Sequence, residues 1–403
     1  MSGDASNGPI LHVAALPFPS PQGTQAAIAG MLECLASAGR DVHLLCYPHG
    51  ASEQTFSYPV HRATDLARFR SLRSGASVRK LIADVELAAA LRSCLARIKP
   101  RVVIAHHVEA AMVTSRCERR VFFAHTALAG ELPTYAMEEG DSRPPPAARS
   151  IFGRAGALLD TALVRRAHAV AAVSPLLTQQ LRELVPSTRD RIRCVLPPWQ
   201  SAARGTPIDR HATERARLAL GLEENAYVWL YTGNLDAYQG WHELLRAVAI
   251  TQALVPELVL LVATASDPRA MLAEAERAGI RKRVMVRQLV GEDERAVAHA
   301  AADAVAVPRS IAGGLPIKLL DAMSRGVPCV VTPSACAGLP IDDCVVLAAR
   351  DDGEALAAAL LHLIARPELR GTLIRDAAEY VRAHHSHEAF LRSFDDLLDL
   401  AMA

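Results

Sequence analysis

The chain has 403 residues, 51% of them apolar and 22% charged, with a formal net charge of +1. That length exceeds what one hydrophobic core serves, so two domains are expected, and the composition is globular rather than disordered. With 44 basic against 43 acidic residues and aromatics at 4%, the chain lacks the basic surface and stacking platforms of a nucleic-acid binder, so no nucleic-acid partner is expected.

The amino terminus, MSGDASNGPI, has neither the basic start nor the long apolar core of a secretion signal. No apolar run reaches the roughly 18 residues that span a bilayer. The eight cysteines include no pair separated by only two residues, so neither a zinc knuckle nor a thioredoxin-like pair is indicated. These features predict a cytoplasmic protein with reduced thiols.

In chain order, short apolar runs at residues 11–16, 42–47, 102–106, 121–125 and 169–174 read as buried parallel strands. Between the first two, residues 24–38 carry apolar side chains at helical spacing, with Gly39 as the stop. The arginine-rich stretch 62–79 has two readings, a solvated face or a site near acidic lipid headgroups at the inner face of a membrane. A loop at 140–150 contains three consecutive prolines. Residues 196–215 show no periodicity and read as a linker. A second series of strands follows at 227–232, 258–263, 284–289, 304–307, 328–332 and 345–348. Strands alternating with helices predict an α/β protein of two doubly wound, Rossmann-like domains. The division is 1–195, a linker at 196–215, and 216–380, with a terminal helix at 381–403.

Three glycine-bearing loops follow strand ends, where open α/β sheets bind ligands. Gly23 lies in the first, Gly233 to Gly240 form the second, and Gly313-Gly314-Leu315-Pro316 the third. In the third, Pro316 suits a first helical position, and the N–H groups of Ile317 and Lys318 then point into the space before the helix. Lys318 adds a charge there, and Asp321 lies one turn further along the same face. An ordinary crossover and a receptor for a nucleotide diphosphate both fit these residues. Together the three loops argue for a phosphate-bearing ligand between two domains.

Residues 17–25 (PFPSPQGTQ), 122–135 (FFAHTALAGELPTY), 172–177 (AVSPLL), 230–247 (LYTGNLDAYQGWHELLRA) and 313–332 (GGLPIKLLDAMSRGVPCVVT) carry a family resemblance along nearly the whole chain. The sequence resembles the retaining glycosyltransferases of group 1, which have the GT-B architecture. That group includes glycogen and sucrose synthases and many bacterial polysaccharide enzymes. The resemblance implies two Rossmann-like domains, a cleft between them, and a C-terminal helix crossing back. It implies a nucleotide-diphosphate sugar as donor substrate, no cofactor, and a glycan or lipid-linked acceptor. His125 matches the family histidine that contacts the transferred sugar; a strand-end histidine held by hydrogen bonds is the plainer reading.

Asp321 matches the second of the family's two signature glutamates and would bind the ribose. The first falls on Gly313, which has no carboxylate. Where the family commonly has arginine and lysine in the Gly233–Gly240 loop, this chain has Asn234 and Gln239. Lys318, with Arg309, is expected to supply the missing positive charge. No Asp-x-Asp motif occurs, so amides and cations rather than a metal are expected to hold the diphosphate. On the acceptor side the candidates are His107, beside His106 at a strand end, and Glu131; capping and core roles fit both equally. His384, His385 and His387 form a histidine cluster, and the helix expected there argues against a metal. A catalytically silent nucleotide-sugar-binding or partner-binding homologue is the alternative, favoured by the missing glutamate.

Overall fold

The computed structural model describes residues 8–20, 22–48, 50, 55–66, 78–136, 146–199, 209–289 and 291–403. Among the described residues, thirteen strands form two wholly parallel sheets. The first comprises β1 (Ile10–Pro17), β2 (Val42–Tyr47), β3 (Val60–Arg62), β4 (Val102–His106), β5 (Arg120–Ala124), β6 (Ala169–Ala172) and β7 (Ile192–Cys194), ordered β3-β2-β1-β4-β5-β6-β7. The second comprises β8 (Tyr227–Thr232), β9 (Leu258–Thr264), β10 (Val284–Gln288), β11 (Ala304–Val307), β12 (Cys329–Val331) and β13 (Val346–Leu347), ordered β10-β9-β8-β11-β12-β13.

Central strands such as β1 are buried along their whole length, because helices cover both faces. In each sheet the order reverses at the first strand, β1 beside β4 and β8 beside β11, which opens a crevice at the carboxyl ends. The eleven strands read from the sequence are present. The two edge strands β3 and β7 were not foreseen, since Val-His-Arg and Ile-Arg-Cys are three residues long with a polar residue at the centre.

The segment read as linker is partly helical. Helix Arg210–Leu220 begins inside it, held by an Arg210–Glu214 ion pair at i,i+4 and ended by Gly221 at φ 68°. The C-terminal region holds two helices. Leu369–His384 packs Ala377, Tyr380 and Val381 onto the second domain, and Ser386 then caps His387–Met402. That last helix returns to the first domain, burying Phe390, Phe394, Leu397 and Leu398 in its core.

His385, between these helices, is fully buried. Its Nδ1–H donates to Pro197 O at 2.8 Å, and its carbonyl accepts from Trp199 N at 2.8 Å. The return helix is thereby tied to the interdomain segment, and the terminal histidines do not gather round a metal site. His385→Ala strands the Pro197 carbonyl and is expected to cost about 1–3 kcal/mol of stability, read as a lower thermal midpoint.

The eight cysteines are all free, and seven are buried. Arg62, at one end of the arginine-rich stretch, donates to Phe18 O at 2.6 Å; residues 67–77 lie outside the described residues. Residues 140–145 of the proline loop also lie outside them, and 146–150 open helix Pro146–Arg166.

Candidate active site

The carboxyl ends of the two sheets face each other across a cleft of 520 Å³. Two helix amino termini enter it from opposite sides, Gly23–Ser37 from the first domain and Ile317–Ser324 from the second. Each presents unpaired backbone N–H groups and a partial positive charge. Pro316 takes the capping position rather than the first helical one: its ψ of 93° is not helical, and its carbonyl accepts the first bond, from Leu319 N at 2.9 Å.

Lys318 rises from that helix under the β8 loop. Its Nζ donates to Gln239 Oε1 at 2.9 Å and stands 4.2 Å from the centre of the Tyr231 ring. Burial lowers its ammonium to about 7; Arg309 pushes the same way and Asp236 opposes. Arg309 lies with its guanidinium 5.6 Å from the Tyr238 ring, and its Nε has no partner among the described residues. Burial lowers it too, against the opposing pull of Tyr238 and of Glu131 from across the cleft. Asn234 Nδ2 donates to Asp236 Oδ2 at 2.8 Å, while its Oδ1 is buried with no partner among the described residues.

Asp321 is 4% exposed at the cleft wall. Its Oδ1 accepts from Arg325 Nε at 2.8 Å. Its Oδ2 lies 3.8 Å from both Arg295 Nε and His299 Nε2, beyond hydrogen-bond reach. Arg325 is paired with Glu292 as well.

On the opposite wall His125 follows β5 and lines the cleft. Its Nε2 bonds His106 Nδ1 at 3.0 Å, and burial holds its pKa well below the ordinary value. Gly314 approaches it closely: at φ 66°, a Cβ there would lie 2.8 Å from His125 O.

Of the residues proposed from sequence, the cleft lining brings together Gly23, His125, Gly233, Asn234, Gln239, Arg309, Gly314, Leu315, Pro316, Ile317, Lys318 and Asp321. Gly313, His107 and Glu131 stand outside it. Gly313 has φ 125°, a conformation that L side chains rarely adopt, so a glutamate does not replace it without reshaping the loop. His107 stacks on the His125 ring at 4.6 Å between centroids, and Glu131 accepts from Thr126 Oγ1. Both stand one layer behind the wall.

The sequence reading missed Ser266, Asp267 and Arg295, which also line the cleft, and gave no role to Asp236 and Tyr238 within the loop it placed there. The i,i+4 spacing of Arg295 and His299 on helix Glu292–Ala301 was the one available signal for that cluster. Among the described residues no three histidine, cysteine, aspartate or glutamate side chains gather where they would share a metal ion.

Residues 22–199 match the family model described as glycosyl transferase 4-like domain, and residues 226–366 match that described as glycosyl transferases group 1. The chain is 30% identical over 294 residues to D-inositol 3-phosphate glycosyltransferase of Saccharomonospora viridis, covering 70% of this chain and 63% of that protein. It is 31% identical over 229 residues to the protein of the same name from Corynebacterium jeikeium, covering 55% and 51%. The match thus spans between half and two thirds of these curated relatives. Among solved structures, sucrose-phosphate synthase from Thermosynechococcus elongatus superposes with a TM-score of 0.78 at 17% identity, covering 98% of both chains. Anabaena HepE in complex with UDP-glucose gives 0.75 at 15% identity, covering 97% of this chain and 99% of that one. At these identities the likeness speaks for the fold. With a family model matched on each domain and the GT-B fold throughout, the chain belongs to the group 1 glycosyltransferases.

Proposed function

We propose that the protein is a metal-independent retaining glycosyltransferase that moves a sugar from a nucleotide-diphosphate donor to an acceptor. One observation carries this reading: the Ile317–Ser324 helix terminus, Lys318 and Arg309 converge on one cleft, with His125 facing them. As the sugar–phosphate bond breaks, negative charge grows on the diphosphate. The amides of Ile317 and Lys318 and the two cations are pre-placed to stabilise it. Asp321 Oδ2 accepts from a ribose hydroxyl. The sugar lies in the cleft beside the contact between Gly314 and His125, and the acceptor enters from the first domain, where Glu131 and His107 back the wall. The leaving diphosphate takes the acceptor's proton, so attack and departure occur on one face and the configuration is retained.

Two observations bear on the acceptor. Relatives named D-inositol 3-phosphate glycosyltransferase favour a small phosphorylated polyol. Exposed Leu81 and Val85 on helix Val78–Ile98, with Ile151 and Leu158 on helix Pro146–Arg166, favour a lipid-linked glycan precursor and peripheral attachment to a membrane. Among the described residues no helix is long and apolar enough to cross a membrane.

Thermal-shift titration with uridine, guanosine and adenosine diphosphates tests the donor site. A ligand at 100 times its dissociation constant adds about 2.7 kcal/mol of stability. Donor hydrolysis and transfer assays then separate an enzyme from a silent binder, which would bind without turnover. Flotation with anionic vesicles separates the two acceptor readings, and failure to float removes the membrane one.

A further inference from the structure

His12, His106 and His125 form a row across the first sheet. His12 is level with Ile104, two residues before His106; His106 is level with Phe123, two residues before His125. All three rings therefore share one face of neighbouring strands, each step climbing toward the carboxyl edge. His12 Nδ1 lies 2.9 Å from His106 Nε2, and His106 Nδ1 lies 3.0 Å from His125 Nε2. Burial drives His12 to about 3 and the other two well below the ordinary value, so each ring is neutral and carries one N–H.

A bond between neutral imidazoles needs one donor and one acceptor, so a single choice of direction sets the whole row. The inner end decides it. His12 Nε2 is buried with no partner among the described residues, under Phe394 of the returning helix. Those two rings lie within 10° of parallel, so an N–H in the imidazole plane would not point at the phenyl face. A buried N–H without an acceptor is rarer than a bare lone pair. The protons therefore point outward: His12 Nδ1–H donates to His106 Nε2, and His106 Nδ1–H donates to His125 Nε2. We propose that His12 and His106 are positioning residues that fix His125 as the Nδ1–H tautomer, so that it presents a hydrogen-bond donor to the cleft.

A donor there suits a sugar oxygen. It also removes His125 from the role of general base, because Nδ1, the nitrogen left outside the row, already holds its proton. The tautomer follows from the row itself; its effect on turnover rests on the proposed transfer reaction.

Nitrogen NMR of the histidine-labelled full chain tests the assignment, with the three rings identified by loss of their signals in His12→Asn, His106→Asn and His125→Asn. A protonated Nδ1 and a bare Nε2 are expected in all three. A protonated Nε2 in any of them overturns the proposal. This spectrum requires no turnover, so it stands or falls separately from the reaction. His12→Asp then places an acceptor at the inner end and reverses the row, with an expected kcat loss of about tenfold and an unchanged KM for the donor. A reversed row with unchanged kcat overturns the link to turnover, and should His12→Asp fail to fold, the wild-type spectrum still decides the tautomer.

Discussion

Replacing Lys318 by methionine is expected to weaken nucleotide-diphosphate binding by about 1.5–3 kcal/mol, roughly ten- to hundredfold, and to remove most of its pH dependence. The lysine stands where the β8 loop, Arg309 and the helix terminus meet, and its ammonium is lowered to about 7 from an ordinary 10.5. A diphosphate brings negative charge against that ammonium and raises its pKa. From about pH 7 upward, binding therefore takes up a proton, and affinity falls with rising pH by as much as about tenfold per unit. The unliganded protein responds in the opposite sense. Between about 7 and 10.5 the unfolded chain holds a proton at this lysine that the native protein does not, so native stability rises with pH across that window. Calorimetry in two buffers of different ionisation heat reads the proton uptake directly. Uptake near zero at pH 8, or a Lys318→Met affinity equal to wild type, would remove Lys318 from the diphosphate site.

The parts of this site that were legible in the sequence are those written in one loop. Gly313 to Asp321 carries its own backbone signals and its own charges, and apolar runs such as residues 42–47 announce buried strands without help from elsewhere. What was hidden depends on distant pieces of chain meeting. The carboxylate of Asp321 meets Arg325 one turn away, which spacing foretells, but also Arg295 and His299 from a helix far upstream. The histidine row requires β1, β4 and β5 to lie side by side, an order that no local pattern encodes. Gly313 shows the limit most clearly. Family spacing reads it as a lost carboxylate, whereas its φ of 125° marks it as a backbone position that favours glycine.

Gly314→Ala is expected to lower turnover by about a hundredfold while leaving nucleoside-diphosphate affinity within about threefold of wild type, because misplacing the two walls by about 1 Å costs that much. Gly314 has φ 66° and a virtual Cβ 2.8 Å from His125 O and 3.4 Å from Thr126 Cγ2. A methyl group there meets the backbone of the opposite domain, which no side-chain rotation relieves. The second domain must back away from the first, and with it the diphosphate site from His125. Binding of the nucleotide alone draws mainly on the second domain, so it tolerates the shift, whereas transfer requires both walls. Gly313→Ala is the control. Gly313 also has a positive φ, 125°, so alanine strains the backbone at both positions, but at 313 nothing lies within 4 Å of the added carbon. Equal losses of turnover in the two variants would mean that backbone strain, rather than the separation of the domains, sets the effect. A hundredfold gap between them, with matched thermal midpoints, places the cost at the contact between Gly314 and His125.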